Sequence, residues 1–245
     1  MNDPREVASP TDAGGKPWGP WATVGFGGLI LLLWVAAQGI VSVKLTGWQA
    51  KASDAAPQGW IVAWAAIISA PVAVGAAALL ASLRKGISVA AYLGLAWPPA
   101  KAALRWAAIL LGLIVVSDLL SLALGRPLVP ESMVLMYETA GSLPLLLIGL
   151  IVAAPLAEEF VFRGFLLAGL LESRLGPATA IALTALAWGS LHLQYDLYGM
   201  ATVAVAGVLL GLIRWRTGSL WLTALLHGLM NTIATVEVLI ILSRR

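Results

Sequence analysis

No acidic or basic side chain occurs from residue 21 to residue 43. A helix needs about 20 apolar residues to cross the roughly 30 Å hydrocarbon core of a bilayer, and this run supplies them. Further apolar runs follow at 60–83, 104–124, 143–174, 178–193, 198–213 and 220–242. In lipid a backbone must satisfy its polar groups within its own segment, so continuous runs of this kind fold as helices. The expected fold is all-α, a polytopic transmembrane bundle of about seven to eight spans.

Composition agrees. Only 11% of residues are charged, against about 25% in a soluble domain. With 60% hydrophobic residues, a disordered chain is excluded as well. A transmembrane β-barrel would alternate apolar and polar residues in segments of about ten, and these runs do not alternate. The absence of cysteine removes disulfides, thiolate metal sites and a cysteine nucleophile.

The net charge of +3 does not point to nucleic acid, because the basic residues sit between apolar runs, where they fix topology. Their bias favours a cytoplasmic N-terminus in a multi-pass protein of the cell membrane, with Arg244 and Arg245 as the counterweight. Trp18, Trp21, Trp60, Trp106, Trp215 and Trp221 flank the runs as an aromatic belt would. Four regions result: a tail at 1–20 with Pro4, Pro10, Pro17 and Pro20, an N-terminal transmembrane region at 21–142, a core at 143–242, and a basic end at 243–245. Within the second region, 86–102 reads as an interfacial connector broken at Pro98–Pro99, and 125–141 as an exposed one.

Ionisable groups inside a span cost about 2.5–3.5 kcal/mol at its centre, which makes them functional candidates. Asp118, Glu158, Glu159, Arg163, His192 and His227 qualify, with Glu237 nearer an end. Glu159 and Arg163 are four apart and share a helix face, so they can pair. Glu158 is turned away by about 100° and keeps its proton chemistry free. A buried ion pair that merely locks two helices accounts for Glu159 and Arg163 but not for Glu158. The only two histidines both lie in apolar runs, and His227 shares a face with Asn231. Together these residues supply a general acid or base and several polar donors.

Other proteolytic signatures are missing. His-Glu-x-x-His is absent, as is Gly-x-Gly-Asp of the presenilin type. Gly189-Ser190 is a fragment of the rhomboid-like Gly-x-Ser-Gly, which leaves a Ser190–His227 dyad as a lesser alternative. Gly207 and Gly211 form a small-xxx-small face suited to close helix packing.

Three motifs stand in order: Glu-Glu-x-x-x-Arg at Glu158, Glu159 and Arg163, Trp-x-x-x-His at Trp188 and His192, and His-x-x-x-Asn at His227 and Asn231. They resemble the motifs of the CPBP intramembrane proteases, also called the CAAX protease or Abi family, which includes the type II CAAX prenyl endopeptidases. The resemblance covers residues 143–235. Trp188 departs from the family's usual Phe but keeps an aromatic ring.

The resemblance implies an intramembrane endopeptidase. Glu158 and His192 would activate water, His227 and Asn231 would hold the oxyanion, and Glu159 with Arg163 would support the site. The family is described both as glutamate-dependent and as metalloproteases. A metal-free site is favoured, since Asn is a poor zinc ligand; zinc on Glu158, His192 and His227 is the alternative. The implied partners are a membrane-associated protein or peptide and the lipid bilayer, with no nucleic acid. Two other classes remain open: a non-catalytic binding or bacteriocin-immunity protein on the same scaffold, and a proton-coupled transporter. The latter would be expected to show halves with matching broken helices, which this chain lacks.

Overall fold

The computed structural model describes residues 15–47 and 58–245. Most of the expected tail, including Pro4 and Pro10, and also Lys51, fall outside them. The helices are α1 Pro20–Thr46, α2 Gly59–Ser82, α3 Val89–Leu93, α4 Ala100–Ala123 and α5 Glu131–Glu138. They continue with α6 Leu143–Leu171, α7 Gly176–Ser190, α8 Leu197–Thr217 and α9 Leu220–Leu242. No strand occurs among the described residues, so the all-α bundle stands.

Among the described residues six helices are long and apolar enough to cross a membrane: α1, α2, α4, α6, α8 and α9. They do not confirm the expected count of seven to eight. The run at 178–193 yields α7, whose 15 residues extend about 22 Å, short of a hydrocarbon core. It stops because the chain turns after Ser190, and Asp196 starts the next helix by accepting from the Gly199 N–H at 2.9 Å. In turn α8 runs past the expected 213. Arg214 and Arg216 join its last turn, where cations complement the helix dipole, and Gly218 ends it at φ +67°.

Two connectors are more ordered than hydropathy suggested. Residues 86–102 contain α3, capped by Ser88, and Leu95 pairs with Ser219 as an isolated bridge. Pro99 then caps α4. Residues 125–141 hold α5, and its Val134 and Tyr137 are buried against Leu146 and Val238. That segment is not simply an exposed connector.

Polar ties define the two ends of the bundle. At one, the Trp18 indole donates to Leu80 O, Lys16 pairs with Glu172, and Leu220 N donates to Gly94 O. At the other, Gly59 N donates to Thr139, Arg126 pairs with Asp196, and Arg245 with Glu138. Helices α1 and α2 pack together, as do α7 and α8. Gly207 and Gly211 lie against Trp188, Ala185 and Ile181, so the small-residue face does pack α8 onto α7. Around them Phe162, Phe165, Trp188, Leu210 and Leu220 belong to the main apolar core.

Helix α6 departs from α geometry twice, with π-helical turns at Ile148–Ala153 and Phe160–Leu166. Such turns are rare and tend to occur at functional sites. The second begins immediately after Glu159.

Candidate active site

The motif residues come together deep in the bundle. Glu159 lies 12 residues before the end of α6, Trp188 12 residues into α7 and His227 seven residues into α9. At 1.5 Å per residue, these depths are about 10–18 Å from the Lys16–Glu172 end. That is near the middle of a hydrocarbon core of roughly 30 Å.

The pair read from sequence is present. Arg163 Nη1 donates to Glu159 Oε1 at 2.9 Å, with both side chains fully buried. Arg163 Nη2 reaches Gly207 O at 3.2 Å, and its guanidinium lies 4.4 Å over the Trp188 ring. The Glu159 oxygen has a second partner that sequence reasoning missed: His227 Nδ1, at 3.0 Å. Because that partner is a carboxylate oxygen, His227 Nδ1 carries the proton. The other ring nitrogen, Nε2, then points away from Glu159.

Across from it stands Glu158, with Oε2 3.9 Å from His227 Nε2. Glu158 is 16% exposed, whereas Glu159 is not exposed at all. One carboxylate is thus sealed in and the other opens towards solvent. Glu158 also accepts from the Trp188 indole N–H, a partner 30 positions along the chain that local spacing could not reveal.

His192 Nδ1 lies 3.0 Å from Trp188 O. A carbonyl only accepts, so Nδ1 donates and His192 Nε2 keeps its lone pair. The His192 and His227 rings each stand edge-on to the Trp188 indole, at 5.1 and 5.2 Å. Asn231 uses its amide to donate to Leu150 O at 2.7 Å, leaving one amide N–H for another acceptor. The other candidates lie apart. Asp118 and Glu237 are half-buried. Exposed Ser190 donates to Ala187 O at 2.8 Å rather than pairing with His227.

Among the described residues no three His, Asp or Glu side chains group as ligands for one ion. Glu158 and His227 face each other, but His192 is held by the Trp188 carbonyl.

Charge balance decides what the cluster can do. Glu158, Glu159 and Arg163 alone sum to one negative charge. One proton added at Glu158 Oε2 or His227 Nε2 would bring that sum to zero. Arg163 and Glu159 hold the imidazole in place.

Residues 140–233 match the protein-family model described as type II CAAX prenyl endopeptidase Rce1-like. The match supports a CAAX (CPBP) family protease over that segment. It contains all three motifs and covers α6, α7, α8 and α9 as far as residue 233, while α1 to α5 precede it. No curated protein matches the chain, and no solved structure matches it.

Proposed function

We propose that this chain is an intramembrane endopeptidase that hydrolyses a peptide bond of a membrane-associated protein or peptide. The observation that carries the reading is the approach of Glu158 Oε2 to His227 Nε2 at 3.9 Å, with His227 anchored through Nδ1 to the buried Glu159–Arg163 pair. A gap of that size suits one water oxygen in reach of both atoms.

With a proton on His227 Nε2, Glu158 is the general base. It takes a proton from the water as the oxygen attacks the scissile carbonyl, and the His192 Nε2 lone pair helps to orient that water. The negative charge developing on the carbonyl oxygen meets the His227 Nε2–H and the second amide N–H of Asn231. Such donors act strongly where water is scarce. Glu158 then returns its proton to the leaving amine. Every step uses groups of this chain and one water.

The test is hydrolysis itself. The full chain in lipid vesicles is incubated with a library of membrane-anchored peptides, and new termini are read by mass spectrometry. Cleavage by the wild type that is lost in Glu158→Gln supports the proposal, with a drop of at least about a hundredfold for removing a general base. Binding without cleavage by the wild type would favour a non-catalytic membrane protein on the same scaffold.

A further inference from the structure

Trp188 touches Arg163, Glu158 and both histidines of the cluster. Its indole face carries the Arg163 guanidinium at 4.4 Å. Both histidine rings meet it edge-on. Its carbonyl holds His192 Nδ1 at 3.0 Å. Its ring N–H points at Glu158 Oε2, the same oxygen that faces His227.

The side chain has little freedom to do anything else. Trp188 is 1% exposed and sits on α7 against α8, where Gly207 clears space for it. A Cβ at 207 would stand 2.9 Å from Trp188 Cε3. The fold therefore accommodates an indole here by omitting a side chain opposite. An indole is a donor only, so a buried one needs an acceptor. Among the described residues the acceptor it finds is the carboxylate that the sealed Glu159–Arg163 pair leaves free.

We propose that Trp188 is a positioning residue: its indole N–H fixes the rotamer of the Glu158 carboxylate and holds it ready to accept a proton. This inference rests on the proposed role of Glu158 as general base. The hydrogen bond leaves the carboxylate's other lone pairs directed at His227 and the water between them. Phenylalanine at 188 would keep an aromatic face for Arg163 and edge contacts for both histidines, but it has no donor. The N–H is thus separable from the packing.

The experiment compares wild type, Trp188→Phe and Glu158→Gln as full chains in vesicles, using whichever membrane-anchored peptide the wild type cleaves. Trp188→Phe is expected to lower kcat by about tenfold to a hundredfold, the range for a hydrogen bond to a charged group. KM should change little. A purely structural role would lower the amount of active protein and leave kcat per active molecule unchanged.

A second measurement does not require the variant to be active. The ring N–H resonance of Trp188, assigned in 15N-indole-labelled protein by its loss in Trp188→Phe, should move upfield in Glu158→Ala. An unchanged kcat in Trp188→Phe, or an indole resonance indifferent to Glu158→Ala, would overturn the proposal. If Glu158→Gln retained full activity, the general-base reading itself would fail, and the indole resonance would still report whether the contact exists.

Discussion

Asn231 reaches from α9 to α6 and donates its side-chain amide to the carbonyl of Leu150, 2.7 Å away. The reason lies in α6. In the first π-helical turn, Ala154 N donates to Gly149 O, five residues back. Continuing that register would give Leu150 O to the next residue, Pro155, which has no N–H. Asn231 supplies the missing donor. Gly228, one turn earlier on α9, allows the approach, since a Cβ there would stand 2.8 Å from Ile151 O.

Asn231→Ala is therefore expected to affect stability as well as rate. It leaves a carbonyl inside the bundle without its donor, which costs about 1–3 kcal/mol. Asn231→Asp should be at least as damaging, because it sets an acceptor against an acceptor. Thermal unfolding in detergent micelles measures both. Melting temperatures equal to the wild type would show that the amide does not hold α6.

Glu159 and Glu158 should separate cleanly in a folding assay. Glu159→Ala strands Arg163 and frees His227 Nδ1 in a fully buried place. Removing one partner of a buried pair costs about 3–5 kcal/mol, so low yield or aggregation is expected. Glu158→Ala breaks no ion pair with Arg163 and leaves only the Trp188 N–H without its acceptor, at about 1–3 kcal/mol, so it should purify in better yield than Glu159→Ala. Size-exclusion profiles of the two variants decide the matter, and equally good behaviour would contradict the division of roles.

Gly207→Ala tests the seat of the indole. The added methyl would meet Trp188 Cε3 at 2.9 Å and Ala185 Cβ at 3.1 Å. Overpacking of this kind costs about 1–3 kcal/mol, and here it would also push Trp188 across the cluster. Gly75→Ala, with nothing within 4 Å of its Cβ, is the matched control and should be close to neutral. Similar stability and activity in the two variants would remove the steric argument.

Much of this arrangement was legible from residues close together in sequence. The Glu159–Arg163 pair follows from a spacing of four on one helix, and the all-helical fold from uninterrupted apolar runs. The rest depends on contacts between helices. The Trp188–Glu158 bond joins α7 to α6, and the His227–Glu159 bond joins α9 to α6; no periodicity encodes either. Pro155 was a visible signal that α6 could not be regular, yet hydropathy treats it as one more residue in an apolar run. The short reach of α7 escaped for a related reason. Leu191 and Leu193 extend the apolar run past Ser190, while the turn is made by backbone bonds and the Asp196 cap.

Ser190→Ala should leave hydrolysis near the wild-type level. Its hydroxyl is exposed and donates to Ala187 O at 2.8 Å, so it is not aimed at His227, whose Nδ1 is committed to Glu159. The rate of peptide cleavage is the readout. A loss of a hundredfold or more, together with a covalent adduct on Ser190 from a serine-reactive probe, would replace the water mechanism with a serine nucleophile.

Hydrolysis is also expected to survive exhaustive chelation, and the purified protein to lack stoichiometric zinc by elemental analysis. Glu158 and His227 give at most two ligands in one place, and His192 would have to give up the Trp188 carbonyl or swing its ring to add a third. A catalytic zinc site usually needs three protein ligands. Proton transfer from Glu158 does not need a metal, so chelators should leave the rate alone. Should activity vanish on chelation and return only with added zinc, the two metal states would differ in their pH dependence. Zinc affinity would fall as the imidazoles take up protons, and the roles assigned to Glu158 and His227 would have to be rewritten around the ion.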